Sequence, residues 1–238
     1  IGASNDPAKR GYQAVRALID AGFKGEIHPV NPKGGEVLGL RVSTTIPTVD
    51  LALICTPAAT VPDLLGDCAR AGVRGAVVLA LGFSESGPAG VRLEDELKRI
   101  RRETGMRIVG PNTSGILNLP IGLNLIGARN ARPGSIAVLV QSGNMALSLL
   151  NESAHAQAGI SICVGAGNQA DLSIADYLDH LNGDENTRAI ALYVESFRNG
   201  RAFYDAALKV GRAKPIVLLK GGRTTQGPTV AASHTGAI

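Results

Sequence analysis

One repeated unit constrains the fold of this chain more than anything else in it. A short apolar run ends in a turn rich in Gly, Pro or Asn, and an amphipathic segment follows. Residues 49–55, 75–81, 106–109, 135–140, 160–164, 188–194 and 214–220 read as strands, and 26–30 as a further one. Between them 11–21, 61–71, 90–104, 145–157, 171–181 and 200–210 carry helical periodicity, with Asp171 a plausible N-cap. Continuous apolar strands alternating with helices predict parallel sheets covered on both faces. The turns fall at the strand C-terminal ends, where open parallel sheets form their binding crevices.

The pattern breaks once. Residues 117–130, rich in Leu, Asn, Pro and Gly, have no helical period and read as a crossover. The chain is therefore expected to form two α/β domains, residues 1–128 and 129–238. Residues 1–11 already form a Gly-rich turn opening a helix, so only Ile1 remains of the strand that normally precedes such a turn. That start, and an end four residues after His234, lead us to expect a piece of a longer protein.

Composition narrows the chemistry. Aromatics are 3% of 238 residues and Trp is absent, which weighs against base-stacking nucleic-acid binders. The net charge of +4 comes from scattered Lys and Arg, which tolerate anionic ligands without selecting one. Cys55, Cys68 and Cys163 are odd in number and lack metal-ligand spacing, as expected of reduced structural thiols in a cytoplasmic protein. No apolar run approaches the ~18 residues of a membrane helix, and no metal site is expected.

Several turns carry candidate chemistry. Gly2, Ala3 and Ser4 are small enough for a diphosphate to approach backbone N–H groups at a helix N-terminus, although the run is not a G-x-G-x-x-G. Lys33, in Asn31-Pro32-Lys33-Gly34-Gly35 at a strand end, is well placed for a phosphate. Ser142, Gly143 and Asn144 join a buried strand to a helix, which suits either a phosphoryl group or a simply well-capped helix. Glu195 ends another buried strand, where a carboxylate can orient an imidazole. His234, among small residues in Ser233-His234-Thr235-Gly236-Ala237, is a candidate nucleophile or proton carrier, or else an incidental surface histidine.

Taken in order, Gly2-Ala3-Ser4 through Gly11, Asn31-Pro32-Lys33-Gly34, Gly110-Pro111-Asn112, Gln141-Ser142-Gly143, Glu195 and 233–237 resemble the CoA-binding and CoA-ligase domains of NDP-forming acyl-CoA synthetases. These are the relatives of the succinyl-CoA synthetase α subunit and the ADP-forming acetyl-CoA synthetases. The resemblance covers essentially the whole chain. It implies a Rossmann-like CoA-binding domain over 1–128 and a flavodoxin-like CoA-ligase domain over 129–238.

The resemblance also implies roles. Gly2, Ala3, Ser4, Lys9, Pro32, Lys33, Thr56, Pro57 and Ala58 would surround the nucleotide and phosphates of CoA. Asn112 and Thr113 would lie near its thiol end; the family often has a cysteine where this chain has Thr113. His234 would be phosphorylated by an acyl phosphate, with Glu195 holding the imidazole and Ser142, Gly143 and Asn144 cradling the phosphoryl group. ATP/ADP or GTP/GDP with Mg²⁺ would sit on an ATP-grasp domain that the chain lacks, fused or on another subunit, in an oligomer without nucleic-acid or membrane partners. The carboxylic acid is not specified.

Two other functions compete. A non-catalytic CoA- or acyl-CoA-sensing module of a larger protein, such as a fused acetyltransferase, typically replaces the phosphorylated histidine, so His234 together with Glu195 argues against it. A dinucleotide-dependent oxidoreductase would need the missing Gly motif and an acidic residue after the second strand, where Lys33 stands.

Overall fold

The computed structural model describes residues 1–222, so the predicted His234 segment lies outside the described residues. The first half runs α1 (Arg10–Asp20), β1 (Glu36–Val37), β2 (Leu40–Arg41), β3 (Leu51–Ile54), α2 (Val61–Arg70), β4 (Gly75–Val78), α3 (Pro88–Thr104) and β5 (Arg107–Val109). There follow β6 (Ile116–Asn118), β7 (Leu123–Asn124), β8 (Pro133–Val140), α4 (Gly143–His155) and β9 (Ile160–Gly165). The described chain closes with α5 (Ile174–Gly183), β10 (Ala189–Val194), α6 (Gly200–Gly211) and β11 (Ile216–Lys220).

In the first half, β3, β4 and β5 form a parallel sheet in that order. Backbone hydrogen bonds extend it. The Ile1 nitrogen donates to Leu53 O (2.6 Å), and Cys55 N donates to Ile1 O (3.0 Å). Gly2 N and Ala3 N donate to Val30 O, and Val30 bridges Ser43 in parallel. The spatial order is thus Ser43, Val30, Ile1–Ala3, β3, β4, β5. Numbered along the chain this is 3-2-1-4-5-6, the dinucleotide-fold order, whose crevice lies between its first and fourth strands.

Residues 26–30 do not form the predicted strand. Only their C-terminal end is paired, and Val30 alone registers as a bridge. Apolar spacing predicted a strand there, but a strand needs neighbours along its whole length.

The second sheet has the order β11-β10-β8-β9-β6-β7. Strands β8 to β11 are parallel and carry order 2-1-3-4, as in a flavodoxin-like sheet. The stretch read as a featureless crossover holds β6 and β7, which pair antiparallel and close the sheet on β9. Helical periodicity cannot reveal two- and three-residue strands whose only signal is a tertiary partner. β9 is buried along its whole length because it has a neighbour on each side and helices over it.

The halves share one core. Val77 and Val109 of the first sheet pack in one apolar cluster with Ile162, Val164, Ile174 and Tyr177 of the second half. Residues 168–172 lie along the edge of β5: Asn168 N donates to Pro111 O (2.9 Å) and Ala170 N to Gly110 O (2.9 Å). That edge is therefore covered.

Asp171 is not a helix cap. α5 starts at Ile174, capped by Ser173 in a capping box with Asp176. Asp171 instead accepts from Arg101 Nε (3.0 Å), Arg107 Nε (2.9 Å) and Ile108 N (2.9 Å), tying the second half to the first.

Candidate functional site

The structure gathers the predicted residues on two rims, one at each sheet's switch point. On the first rim, Gly2 has φ +86°, and a Cβ there would lie 3.0 Å from Thr56 Cγ2. Glycine at this position lets the Gly2-Ala3 turn and the Thr56-Pro57-Ala58 turn meet side by side. Gly11 extends the same logic: a Cβ would fall 2.0 Å from Gly2 O, so only glycine lets α1 seat on the turn.

Asn31 joins the next turn. Its Nδ2 donates to Ala3 O (2.9 Å) and its Oδ1 accepts from Lys33 N (2.9 Å). Pro32 and Lys33 are exposed, so the Lys33 ammonium is available to solvent-borne anions. α1 begins after Lys9 with no side-chain cap and no acidic residue in its first turn. Just before it, the Asp6 carboxylate accepts from Ala8 N (2.9 Å), and the helix's own first-turn amides have no side-chain acceptor at Lys9. Ser4 Oγ accepts from Asp6 N (3.1 Å) and shapes the turn. Thr56 Oγ1 accepts from Thr60 (2.9 Å), and Ala58 starts a short 3₁₀ turn.

Asn112 and Thr113 stand apart from this rim, at the junction of the halves. Asn112, at φ +56°, donates from Nδ2 to Asn168 Oδ1 (3.2 Å). Thr113 is buried; its hydroxyl donates to Gly165 O and accepts from Gly115 N (2.9 Å). A hydroxyl so engaged holds the turn rather than a ligand. The backbones approach closely here, since a Cβ on Gly167 would lie 2.2 Å from Pro111 O.

The second rim lies between β8 and β10. Ser142 is the N-cap of α4, buried, with no side-chain capping bond and no acidic residue in the first turn. Gly143 opens the helix and Asn144 is exposed. The start of this 13-residue helix, beside a buried hydroxyl, is electropositive and has no side-chain cap or acidic first-turn residue among the described residues. Gln141 fastens the two strand ends: its Oε1 accepts from Glu195 N and from Ser196 N (3.0 Å), and its Nε2 donates to Ser196 O (2.8 Å). Glu195 is thereby held beside the α4 start. β11 ends next to it, with Lys220 Nζ donating to Glu195 O (2.6 Å) and Gly221 O (2.5 Å).

A buried cluster that the sequence did not reveal joins the two halves near the second rim. Glu94 of α3 is 1% exposed and accepts from Arg198 (2.9 Å), Asn168 Nδ2 (3.1 Å) and Ser84 N (3.4 Å), with Lys98 at 3.4 Å. Burial alone would raise its pKa. The hydrogen bonds from Ser84 and Asn168 and the Lys98 and Arg198 charges outweigh burial and hold it below the ordinary carboxylate value. Asn168 ties this cluster to Asn112, and Arg198 follows Glu195 by three residues. The sequence signal was weak: Glu94 sits at a core-facing helical position among charged neighbours. Tyr193 was also missed, because it reads as one more strand residue.

No group of three or more His, Cys, Asp or Glu among the described residues is placed to hold a metal ion. No described helix is long and apolar enough to cross a membrane.

Residues 1–118 match the CoA binding domain family, and residues 133–238 match the succinyl-CoA ligase like flavodoxin domain family. The whole chain is 39% identical to the α subunit of acetate–CoA ligase [ADP-forming] I from Pyrococcus furiosus, of which it covers 54%. It is 40% identical to acetate–CoA ligase [ADP-forming] II from Archaeoglobus fulgidus, covering 36% of that protein. Among solved structures it is similar to the dinucleotide-forming acetyl-coenzyme A synthetase 1 of Ca. Korarchaeum cryptofilum in complex with phosphate and ADP. The TM-score there is 0.94 at 40% identity, over 100% of this chain and 52% of that one. The chain spans about half the length of the first of these relatives or less.

Proposed function

The chain belongs to the NDP-forming acyl-CoA synthetases, as their CoA-binding and CoA-ligase portion, and on that premise we propose that it supplies the CoA site and the phosphohistidine of an acid–CoA ligase. The observation that carries the reading is the second rim. There a helix N-terminus without a side-chain cap and the backbone of the strand end that carries Glu195 are fastened together, beside the end of the strand that precedes His234 in the sequence.

In this reading CoA lies along the first rim. The Gly2-Ala3-Ser4 amides, Lys9, Pro32-Lys33 and Thr56-Pro57-Ala58 take its nucleotide and phosphates, and Asn112-Thr113 lie toward its thiol. Phosphate attacks the acyl-CoA carbonyl and releases the CoA thiol, giving an acyl phosphate. A neutral His234 nitrogen then attacks phosphorus, the carboxylate leaves, and the phosphoryl group stays on the imidazole. Glu195 accepts from the other ring N–H and stabilises the developing positive charge. The Ser142, Gly143 and Asn144 amides and the α4 dipole hold the phosphoryl oxygens. ADP or GDP, with Mg²⁺, takes the group on an ATP-grasp domain or subunit. All steps run in reverse for acyl-CoA synthesis.

We propose two functional units, residues 1–128 and 129–238, with the β6–β7 hairpin of the first completing the sheet of the second. We place the enzyme in the cytoplasm, as an oligomer.

The test is phosphoenzyme labelling of the full-length protein, with its nucleotide-binding part, by γ-labelled ATP and Mg²⁺. Base-stable, acid-labile label on His234, discharged by CoA plus a carboxylic acid, is expected. His234→Asn abolishes the label while CoA binding stays nearly unchanged. Bound CoA without label would instead favour a sensing module.

A further inference from the structure

Tyr193 lies on β10, two residues before Glu195, which follows the end of that strand. It pairs across the sheet with Val140, next to Gln141, and with Leu219, next to Lys220. Its hydroxyl lies under the departure point of the chain from β11: a Cβ on Gly221 would be 3.0 Å from Tyr193 Oη and 3.5 Å from Glu195 Cγ. Tyrosine hydroxyl, glutamate and Gly221 thus meet at one point.

The electrostatics agree. Burial raises the Tyr193 pKa first, and the charge of Glu195 and a hydrogen bond with it raise it further, so the phenol stays protonated and donates to the carboxylate. Among the described residues, Lys220 of β11 donates to the Glu195 carbonyl and Gly221 O, and the neutral Gln141, just after β8, accepts from the 195 and 196 amides. Arg198 of the same loop is committed to Glu94.

We infer that Tyr193 is a positioning residue for phosphoryl transfer: its hydroxyl orients the Glu195 carboxylate toward the segment that leaves β11 at Gly221. The inference rests on the reading that Glu195 holds the His234 imidazole. Gly221 is part of the device, because a side chain there would push the phenol away from the carboxylate.

The experiment measures the initial rate of His234 labelling by γ-labelled ATP in the full-length enzyme at neutral pH. Tyr193→Phe removes the donor and keeps the ring. Labelling is expected to slow about tenfold, the worth of one hydrogen bond to a charged group. In a Glu195→Ala background Tyr193→Phe is expected to add little, because the hydroxyl acts through that carboxylate. A role confined to packing would slow both backgrounds alike.

Gly221→Ala is expected to slow labelling as well, and Tyr193→Phe combined with Gly221→Ala to be less than additive, because both act on one contact. A wild-type rate in Tyr193→Phe, an equal slowing in the Glu195→Ala background, or strict additivity with Gly221→Ala would overturn the inference. Glu195→Gln separates it from its premise. Wild-type labelling in that variant removes the role of Glu195 and this inference with it, and an unlabelled wild-type enzyme removes the ligase reading itself.

Discussion

Arg198 and Glu94, 104 residues apart in the chain, form a 2.9 Å ion pair that joins the loop after Glu195 to the helix α3 of the other half. The carboxylate is buried while the guanidinium is 42% exposed. The pair therefore has one expensive member and one that water can rescue.

That asymmetry predicts unequal mutants. Arg198→Met leaves the Glu94 charge buried with Ser84, Asn168 and Lys98 as its remaining partners, and is expected to cost about 2 kcal/mol, discounted for the exposure of the arginine. Glu94→Gln keeps the shape, frees Arg198 to solvent, and costs less. Urea denaturation of both variants at neutral pH checks the order.

The same carboxylate gives a pH dependence. The folded pKa of Glu94 lies below its ordinary value of 4.5, so the unfolded chain binds the proton first as pH falls. Its contribution is complete above that value and is lost as pH drops below it through the folded pKa. Thermal melts from about pH 7 to pH 3 should show wild type losing stability more steeply than Glu94→Gln.

Gly90 lies within α3, where Ala ordinarily favours a helix by about 1 kcal/mol. Here a Cβ would fall 1.8 Å from Phe83 O and 2.9 Å from Gly82 O. Gly90→Ala is expected to destabilise by about 3 kcal/mol or more, because backbone has to move. A denaturation midpoint at or above wild type would show that the turn after β4 yields.

Lys33 is exposed beside the first rim and anchored through its own amide to Asn31. If its ammonium meets a CoA phosphate, Lys33→Ala weakens CoA more than dephospho-CoA or pantetheine, measured by calorimetry. Equal weakening of all three removes Lys33 from the phosphate site.

Burial raises the Cys163 thiol to about 12 and the Cys68 thiol to about 11. Both are fully enclosed. Neither should react with iodoacetamide at pH 8 in the folded protein, and both should react in guanidinium. Mass spectrometry of the alkylated peptides reads the outcome directly.

The sequence by itself determined the parts. Alternation of apolar runs with amphipathic helices required parallel α/β layers, because such runs bury both faces only when helices cover them. It also determined that small and polar turns stand at strand ends, which marked Gly2, Lys33, Thr56, Ser142 and Glu195 as rim residues. Those properties are local, set by residue size, periodicity and backbone freedom.

Only the tertiary structure decided which parts meet. Strand order brought Gly2 against Thr56 and Gln141 against Glu195, and no local period encodes a neighbour that arrives from 54 residues away. It turned Asp171 from a helix cap into a junction for Arg101 and Arg107, reduced residues 26–30 to one bridge, and made β6 and β7 strands through β9. Glu94 belongs here most clearly. A glutamate in a charged helix reads as surface, and it becomes a buried anchor only when Ser84, Asn168 and Arg198 converge on it from three other segments. The free energy of a buried charge depends on partners that folding alone assembles.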